Sequence, residues 1–357
     1  MNIYLLCKRY YTNKDLINDR FGRLYHLPMQ LAQQGNKVLV DAFDYRNRIS
    51  TSIQDNGVLF RTIPATSTKI PGFLWHAYRN IYKANPDILI ASGDIYIGYV
   101  GLNIARRLGI RFVFDVYDYY PVFRINRFPG LTSLFNHTVK NADLVMCASK
   151  PLLQAVLAGL NENALLIENG VDRTAFTTGD SVQARQTLKL PADIPLVGYF
   201  GSIIPTRGPL LIEACRKIRE KTPTLRLVLA GRLTDICINE SWIDYFGELP
   251  QSSIPTLIQA CDVVCLPYAD DTFNCMSGAC KIAEYLACGK PVVATNVSNH
   301  AQIFKDAPSS LCDPTVEDMA RAIESQLKHP EIAPYPNDLD WQSIGRKLHK
   351  ELTKLVR

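Results

Sequence analysis

The chain has 357 residues, 47% of them hydrophobic and 20% charged, with a formal net charge of +5. That length exceeds what one core usually fills, and the balance is neither that of a disordered chain nor that of a membrane-spanning one, so two ordinary globular domains are expected. The charge is uneven: residues 1–180 hold 20 Lys and Arg against 14 Asp and Glu, the remainder 19 against 20, which biases the first half toward anionic surfaces or substrates.

The opening residues 1–7 are too short for the apolar region of a signal peptide, and Lys8 and Arg9 follow them instead of preceding them, so they read as a buried first strand. Leu24, Leu27, Leu31 and Ala32 share one helical face, which Gly35 ends before a strand at 37–40. Apolar, β-branched runs then recur at 88–91, 111–114, 144–148 and 165–168 with helical stretches between them, the alternation of βαβ units on a parallel sheet. Polar residues and Pro191 break the pattern across 171–195. A second series starts at 196–200 and continues through 226–230, 242–246, 263–267 and 291–294. The tail places Trp341, Ile344, Leu348, Leu352 and Leu355 at near-helical spacing, a closing amphipathic helix. The expected division is 1–176, then 177–335, then a helix in 336–357 crossing back to the first domain. No run approaches the length of a bilayer span, so the expected location is cytoplasmic, or peripheral at the inner membrane face.

The ten Cys are scattered through apparent strands and helices, without a disulfide framework or the spacing of a zinc site, and they read as buried thiols. His26, His76, His137 and His300 stand singly, so no metal is expected.

In open α/β sheets, ligands sit beyond the carboxyl ends of the strands. Two loops there have the composition of an anion site. Residues 201–208, Gly-Ser-Ile-Ile-Pro-Thr-Arg-Gly, are flanked by glycines and carry one cation. Ser277-Gly278-Ala279-Cys280 runs into a helix with Lys281 and Glu284 on its first turns. Backbone N–H groups and the positive end of a helix favour phosphate, Lys281 adds a cation, and Glu284 accepts hydrogen bonds from sugar hydroxyls. A nucleotide sugar has all of these groups.

Together these pieces resemble the group 1 (family 4) glycosyltransferases of the GT-B fold. The likeness rests on residues 201–208 against the family's glycine loop ending in Lys-Gly, on Leu229-Ala230-Gly231-Arg232, on Tyr245-Phe246-Gly247-Glu248-Leu249-Pro250, on residues 260–268 and on residues 281–295. In the first half it rests on Phe21-Gly22-Arg23, Phe114-Asp115-Val116-Tyr117-Asp118 and Glu168-Asn169-Gly170-Val171-Asp172. The fold so implied is α/β: two doubly wound Rossmann-like domains facing across a cleft, the first for acceptor and the second for donor.

The resemblance implies a hexosyltransferase that moves a sugar from a nucleoside-diphosphate sugar, UDP- or GDP-linked, to a glycan or lipid-linked acceptor in polysaccharide biosynthesis, with no metal, no other cofactor and no nucleic-acid partner. Arg207 and Lys281 would hold the diphosphate and Glu284 the ribose. Gly201, Ser202, Gly231 and Arg232 would line the donor site, backbone from Phe246 through Gly247 and Glu248 to Leu249 would read the base, and the amides of Ser277, Gly278, Ala279 and Cys280 would meet the pyrophosphate and sugar. Gly22-Arg23 would touch donor or acceptor, or else serve a close helix approach.

Three positions depart from the family. Met276 stands where a second Glu is usual, with Asp270 or Asp271 as a substitute or backbone alone holding the sugar. Tyr117 precedes Asp118 where many members have His, and Arg207 replaces Lys. Retaining members react on one face of the sugar with the leaving phosphate as base, and Asp118 would then position a substrate. An inverting enzyme would use Asp118 as base. A nucleotide-sugar epimerase of the same architecture, or a non-catalytic sugar-nucleotide-binding subunit, fits the same residues. The aromatic and basic stretches at 71–83 and 124–128 suit an interfacial patch, against core packing with snorkelling bases as the alternative.

Overall fold

The computed structural model describes residues 1–11, 14–47, 49–65, 70–123, 129–278 and 280–357. Backbone contacts divide it into two units: Met1–Gly170 with Met276–Gly278 and Asp340–Arg357, and Val171–Cys275 with Ala279–Leu339.

The first unit is built from β1 (Asn2–Lys8), the small hairpin β2 (Tyr10–Tyr11) and β3 (Lys14–Asp15), α1 (Arg23–Gln33), β4 (Lys37–Asp44), β5 (Ser52–Asp55), β6 (Val58–Pro64), α2 (Ile70–Ala84), β7 (Ile88–Ser92), α3 (Ile95–Leu108), β8 (Arg111–Val116), α4 (Leu131–Lys140), β9 (Leu144–Cys147), α5 (Lys150–Leu157) and β10 (Ala164–Leu166). Its eight-stranded sheet runs β10-β9-β8-β7-β1-β4-β6-β5, parallel throughout except where β5 pairs antiparallel with β6. The turn between those two is Asn56-Gly57, both at positive φ, the dihedrals a two-residue hairpin demands. Strand β7 is buried along its whole length, as expected of a parallel strand covered on both faces.

The second unit contains α6 (Ser181–Leu188), β11 (Leu196–Phe200), α7 (Pro209–Arg219), β12 (Arg226–Ala230), β13 (Ile243–Tyr245), α8 (Ile254–Ala260), β14 (Val263–Leu266), α9 (Thr272–Met276) except for its last residue, α10 (Cys280–Ala287), β15 (Val292–Thr295), α11 (His300–Ile303), β16 (Leu311–Cys312) and α12 (Val316–Lys328). Its sheet, β13-β12-β11-β14-β15-β16, is wholly parallel. Helix α6 lies inside the stretch that reads as an irregular joint. Asp180 caps it through Val182 N–H at 2.8 Å, and Arg185 pins it to Ala260 O at 2.9 Å and Asp262 at 2.8 Å.

The last helix, α13 (Trp341–Val356), packs in the first unit. Its apolar face lies along α1, where Trp341 stacks on His26 at 4.9 Å and Gly345 meets Gln30 so closely that a Cβ there would stand 2.3 Å from the Gln30 Cβ. All ten Cys are free thiols. Burial pushes the Cys147, Cys261 and Cys288 thiols up to about 12, which keeps them protonated and inert.

Candidate functional site

In the second unit the central strand β11 has β12 on one side and β14 on the other. The strand order reverses at β11, and in such sheets the loops beyond the carboxyl ends at that point are where ligands bind. Gly201 closes β11 by donating its N–H to Ala230 O at 2.8 Å. Gly231, at φ 131°, comes so near that a Cβ on it would stand 2.0 Å from the Gly201 carbonyl oxygen. Only glycine at 231 permits that approach.

Arg207 ends the loop after β11 and bridges antiparallel to Tyr268, just after β14. Its guanidinium lies over the Tyr268 ring at 4.1 Å and the Phe273 ring at 4.7 Å, and its Nε donates to Asn274 Oδ1 at 2.6 Å. Lys281, on the first turn of α10, runs its stem along Gly201: a Cβ there would lie 2.2 Å from Lys281 Cε. Burial works against the Lys281 charge, but Cys280, Tyr268, Glu284 and Tyr199 outweigh it and hold the ammonium above the ordinary lysine range. Arg207 and Lys281 both act on Tyr199 and on Cys280, so the two cations share one neighbourhood. That is a place for a multiply charged anion.

Glu284, one turn further along α10, accepts a hydrogen bond from Gln251 Nε2 at 2.9 Å. Burial raises its carboxyl, opposed by Lys281 and by that hydrogen bond. Tyr285 accepts from Phe200 N–H at 3.1 Å and the Tyr199 hydroxyl donates to Ser202 O at 3.0 Å, so both tyrosines brace the loop after β11. The side chains of Ser202 and Arg232 are exposed, and the Arg232 carbonyl accepts from Ile203 N–H at 2.7 Å.

The segment expected to read a base is itself fastened. Phe246 N–H donates to Leu229 O at 2.9 Å, Gly247 O accepts from Gly231 N–H at 2.8 Å, and the Tyr245 hydroxyl donates to Gly231 O at 2.8 Å. Those groups position the loop, with Gly247 at φ 71° turning it and Glu248 exposed.

Arg207, Lys281 and Glu284 therefore stand in one unit, with Gly201, Ser202, Gly231, Arg232, Phe246, Gly247, Glu248, Leu249 and Cys280. Asp118 stands in the other, in the loop after β8. Ser277 and Gly278 group with that first unit: Ser149 Oγ donates to Met276 O at 2.6 Å, and a Cβ on Gly278 would stand 2.6 Å from Ala148 O. Ala279 lies outside the described residues.

Asp271, one of the two carboxylates weighed against Met276, caps the helix that ends at that residue. Its two oxygens accept from Asn274 N–H at 2.8 Å and from Asn274 Nδ2 at 2.9 Å, which caps α9. Asp270 is exposed and accepts from Cys275 Sγ at 3.1 Å. His300 is a packing residue: Nδ1 meets Thr295 O at 2.7 Å, and burial, opposed by that bond and aided by Arg207, pushes the ring down to about 4, so it is neutral.

Arg23 is not a ligand residue either. It is fully buried, with Nε and Nη2 on Asp115 at 3.1 and 2.7 Å and Nη1 on Ile167 O and Asn169 Oδ1, both at 3.0 Å. Gly22 beside it sits at φ 72° with the Tyr11 ring 3.1 Å from where a Cβ would be. Gln251 and Asn274 are site residues that sequence reasoning missed. Gln251 lies one residue beyond the Tyr245–Pro250 motif, and Asn274 lies on the short helix α9, where an amide carries no signal of a site.

The model for "Glycosyl transferases group 1" matches residues 180–345, and that for "Glycosyltransferase Family 4" matches residues 23–175. The D-inositol 3-phosphate glycosyltransferase of Stackebrandtia nassauensis is 34% identical over 161 residues, 40% of this chain and 35% of that protein. Its counterpart in Mycobacteroides abscessus is 31% identical over 179 residues, 45% and 38% of the two chains. The chain thus spans little more than a third of the length of these curated relatives. Among solved structures, HepE of Anabaena in complex with UDP aligns over 99% of this chain and 100% of its own, with TM-score 0.76 and 18% identity. Sucrose-phosphate synthase from Thermosynechococcus elongatus aligns over 100% and 95%, with TM-score 0.71 and 18% identity. At such identities the likeness is one of fold.

Proposed function

The chain belongs to the group 1 glycosyltransferases of family 4, and from that premise we propose that it transfers a hexose from a UDP- or GDP-linked donor to a glycan or lipid-linked acceptor, without a metal and with retention. The observation that carries this reading is the pair Arg207 and Lys281, two cations acting on the same Tyr199 and Cys280 at the carboxyl end of β11. The leaving nucleoside diphosphate gains charge as the sugar bond breaks. Cations fixed in advance at that place favour the transition state over the ground state. Glu284, held by Gln251, takes the ribose hydroxyls. In a retaining reaction the leaving diphosphate itself acts as base, and Asp118 then positions a substrate.

A thermal-shift panel of UDP-, GDP-, ADP- and dTDP-sugars tests the reading. A ligand at about 100 times its Kd adds about 2.7 kcal/mol to the native state, a rise of several degrees. One nucleotide series should shift the chain, and Glu284→Ala should abolish the shift. No shift with any series, or one that survives Glu284→Ala, sinks the proposal. Conversion of the bound donor to an isomeric sugar nucleotide without acceptor would favour the epimerase instead.

We further propose a membrane contact for the first unit through α2. That helix contains no acidic residue, and it exposes Leu74, Tyr78, Trp75 at 55% and Tyr82 at 65%, with Arg79 over the Trp75 ring at 4.7 Å and Lys83 beside them. Aromatic rings and bases on one helix suit an anionic headgroup layer, each base contributing about 1 kcal/mol. The basic stretch at 124–128 lies outside the described residues. In sedimentation with vesicles, the chain should bind phosphatidylserine-containing bilayers and not pure phosphatidylcholine. Trp75→Ala with Tyr82→Ala should release it, and equal binding by that variant counts against α2.

A further inference from the structure

Asn274 is the most completely used polar side chain beside Arg207. Its Oδ1 accepts from Arg207 Nε at 2.6 Å, and its Nδ2 is shared among Asp271 Oδ2 at 2.9 Å, Ala269 O at 3.1 Å and Thr206 O at 3.3 Å. It is fully buried. The amide thereby ties the loop after β11, at Thr206, to the loop after β14, at Ala269, where Ala269 N–H also donates to Thr206 O at 2.9 Å. Arg207 is held by three residues that follow β14: Tyr268 in the loop and Phe273 on α9 through their rings, and Asn274 on α9 through Nε.

We propose that Asn274, with Tyr268 and Phe273, is a positioning device for Arg207, and that the arginine in this chain works only in that socket. The inference rests on the donor reading above. A guanidinium has a planar face for stacking and an Nε–H that an amide oxygen can anchor, while its Nη1–Nη2 end makes paired hydrogen bonds to phosphate oxygens. A lysine offers neither the Nε–H nor the plane. It would keep the charge but lose the hold on its direction. The side chain is long and rotamer-rich, so fixing it before the ligand arrives removes an ordering cost that binding would otherwise bear. Arg207 and Asn274 then behave as one unit.

The test measures affinity, by calorimetry, for the nucleoside diphosphate that binds the unaltered chain among UDP, GDP, ADP and dTDP, and for the matching nucleoside monophosphate. Arg207→Ala, Arg207→Lys and Asn274→Ala should each weaken the diphosphate by about 10- to 100-fold, the weight of one hydrogen bond to a charged group. Each should leave the monophosphate within about twofold, since a general loosening of the fold would weaken both. Arg207→Ala combined with Asn274→Ala should be no weaker than Arg207→Ala alone, because paired residues are not additive. If Asn274→Ala fails to fold, Arg207→Lys decides, since it leaves the buried amide in place. Wild-type affinity in Arg207→Lys, additive losses, or equal losses for both nucleotides overturn the inference and leave the donor reading standing. If no nucleoside diphosphate binds the unaltered chain, both fall.

Discussion

Arg23→Ala is expected to destabilise the first unit by about 3–5 kcal/mol, the cost of leaving a buried carboxylate without its partner. Arg23 is wholly buried at the start of α1, and its guanidinium holds Asp115 of β8 on one side and Ile167 and Asn169 beyond β10 on the other. Burial works against the charge, but Asp115 outweighs it and holds the guanidinium above its ordinary range. Ser92 Oγ completes the site at 2.5 Å from Asp115. In calorimetry the melting of the first unit should fall by roughly 10 °C, at about 2–4 °C per kcal/mol for a unit of this size. The second unit's transition should stay in place. Arg23→Leu with Asp115→Leu should recover part of the loss, since a matched apolar pair removes the orphaned charge. A melt within a degree of wild type in the single variant would show that the pair contributes little.

That arginine also marks how far the sequence could be read. Strands buried on both faces of a parallel sheet announce themselves as apolar runs, and β7 and β14 were legible for that reason. The closing helix was legible because one face is apolar at near-helical spacing. The hairpin β5–β6 was not, although Asn56-Gly57 is a strong turn signal, because Ser52, Gln54, Asp55, Arg61 and Thr62 gave the flanks a polar appearance. Helix α6 was hidden likewise. It buries Ala184 and Arg185 instead of an apolar stripe, so the polar joint contained a helix that only its Asp180 cap betrayed. At the site, Lys281 and Glu284 stand one turn apart on a helix, which spacing alone reveals. The groups that orient the site could not be found this way. Asn274 meets Arg207 across 67 residues, Gln251 meets Glu284 across 33, and Arg23 meets Asp115 across 92. Pairings at such separations are set by sheet order, which no local pattern encodes.

Lys281→Ala should lower donor hydrolysis, followed as release of nucleoside diphosphate, by about 10²–10³-fold, the loss seen when one preorganised group facing developing charge is removed. Deleting the cation also changes local charge, so a second variant separates presence from placement. Gly201→Ala keeps Lys281 but sets a methyl 2.2 Å from its Cε and 3.1 Å from the Tyr199 hydroxyl oxygen. Gly201 is not at positive φ, so alanine suits the backbone and the chain should melt within a few degrees of wild type. The flexible stem must move instead, and the ammonium moves with it. A displacement near 1 Å at a charge-stabilising group costs on the order of 10²-fold. Gly201→Ala should therefore approach Lys281→Ala in rate while retaining the charge and the fold. If Gly201→Ala keeps near-wild-type turnover while Lys281→Ala loses it, the cation acts from a distance as a diffuse charge. If neither falls, Lys281 does not face the leaving group. The fall of both, with stability kept, is what a cation held against a side-chain-free loop residue requires, since only the absence of a Cβ at 201 lets the stem lie where it does.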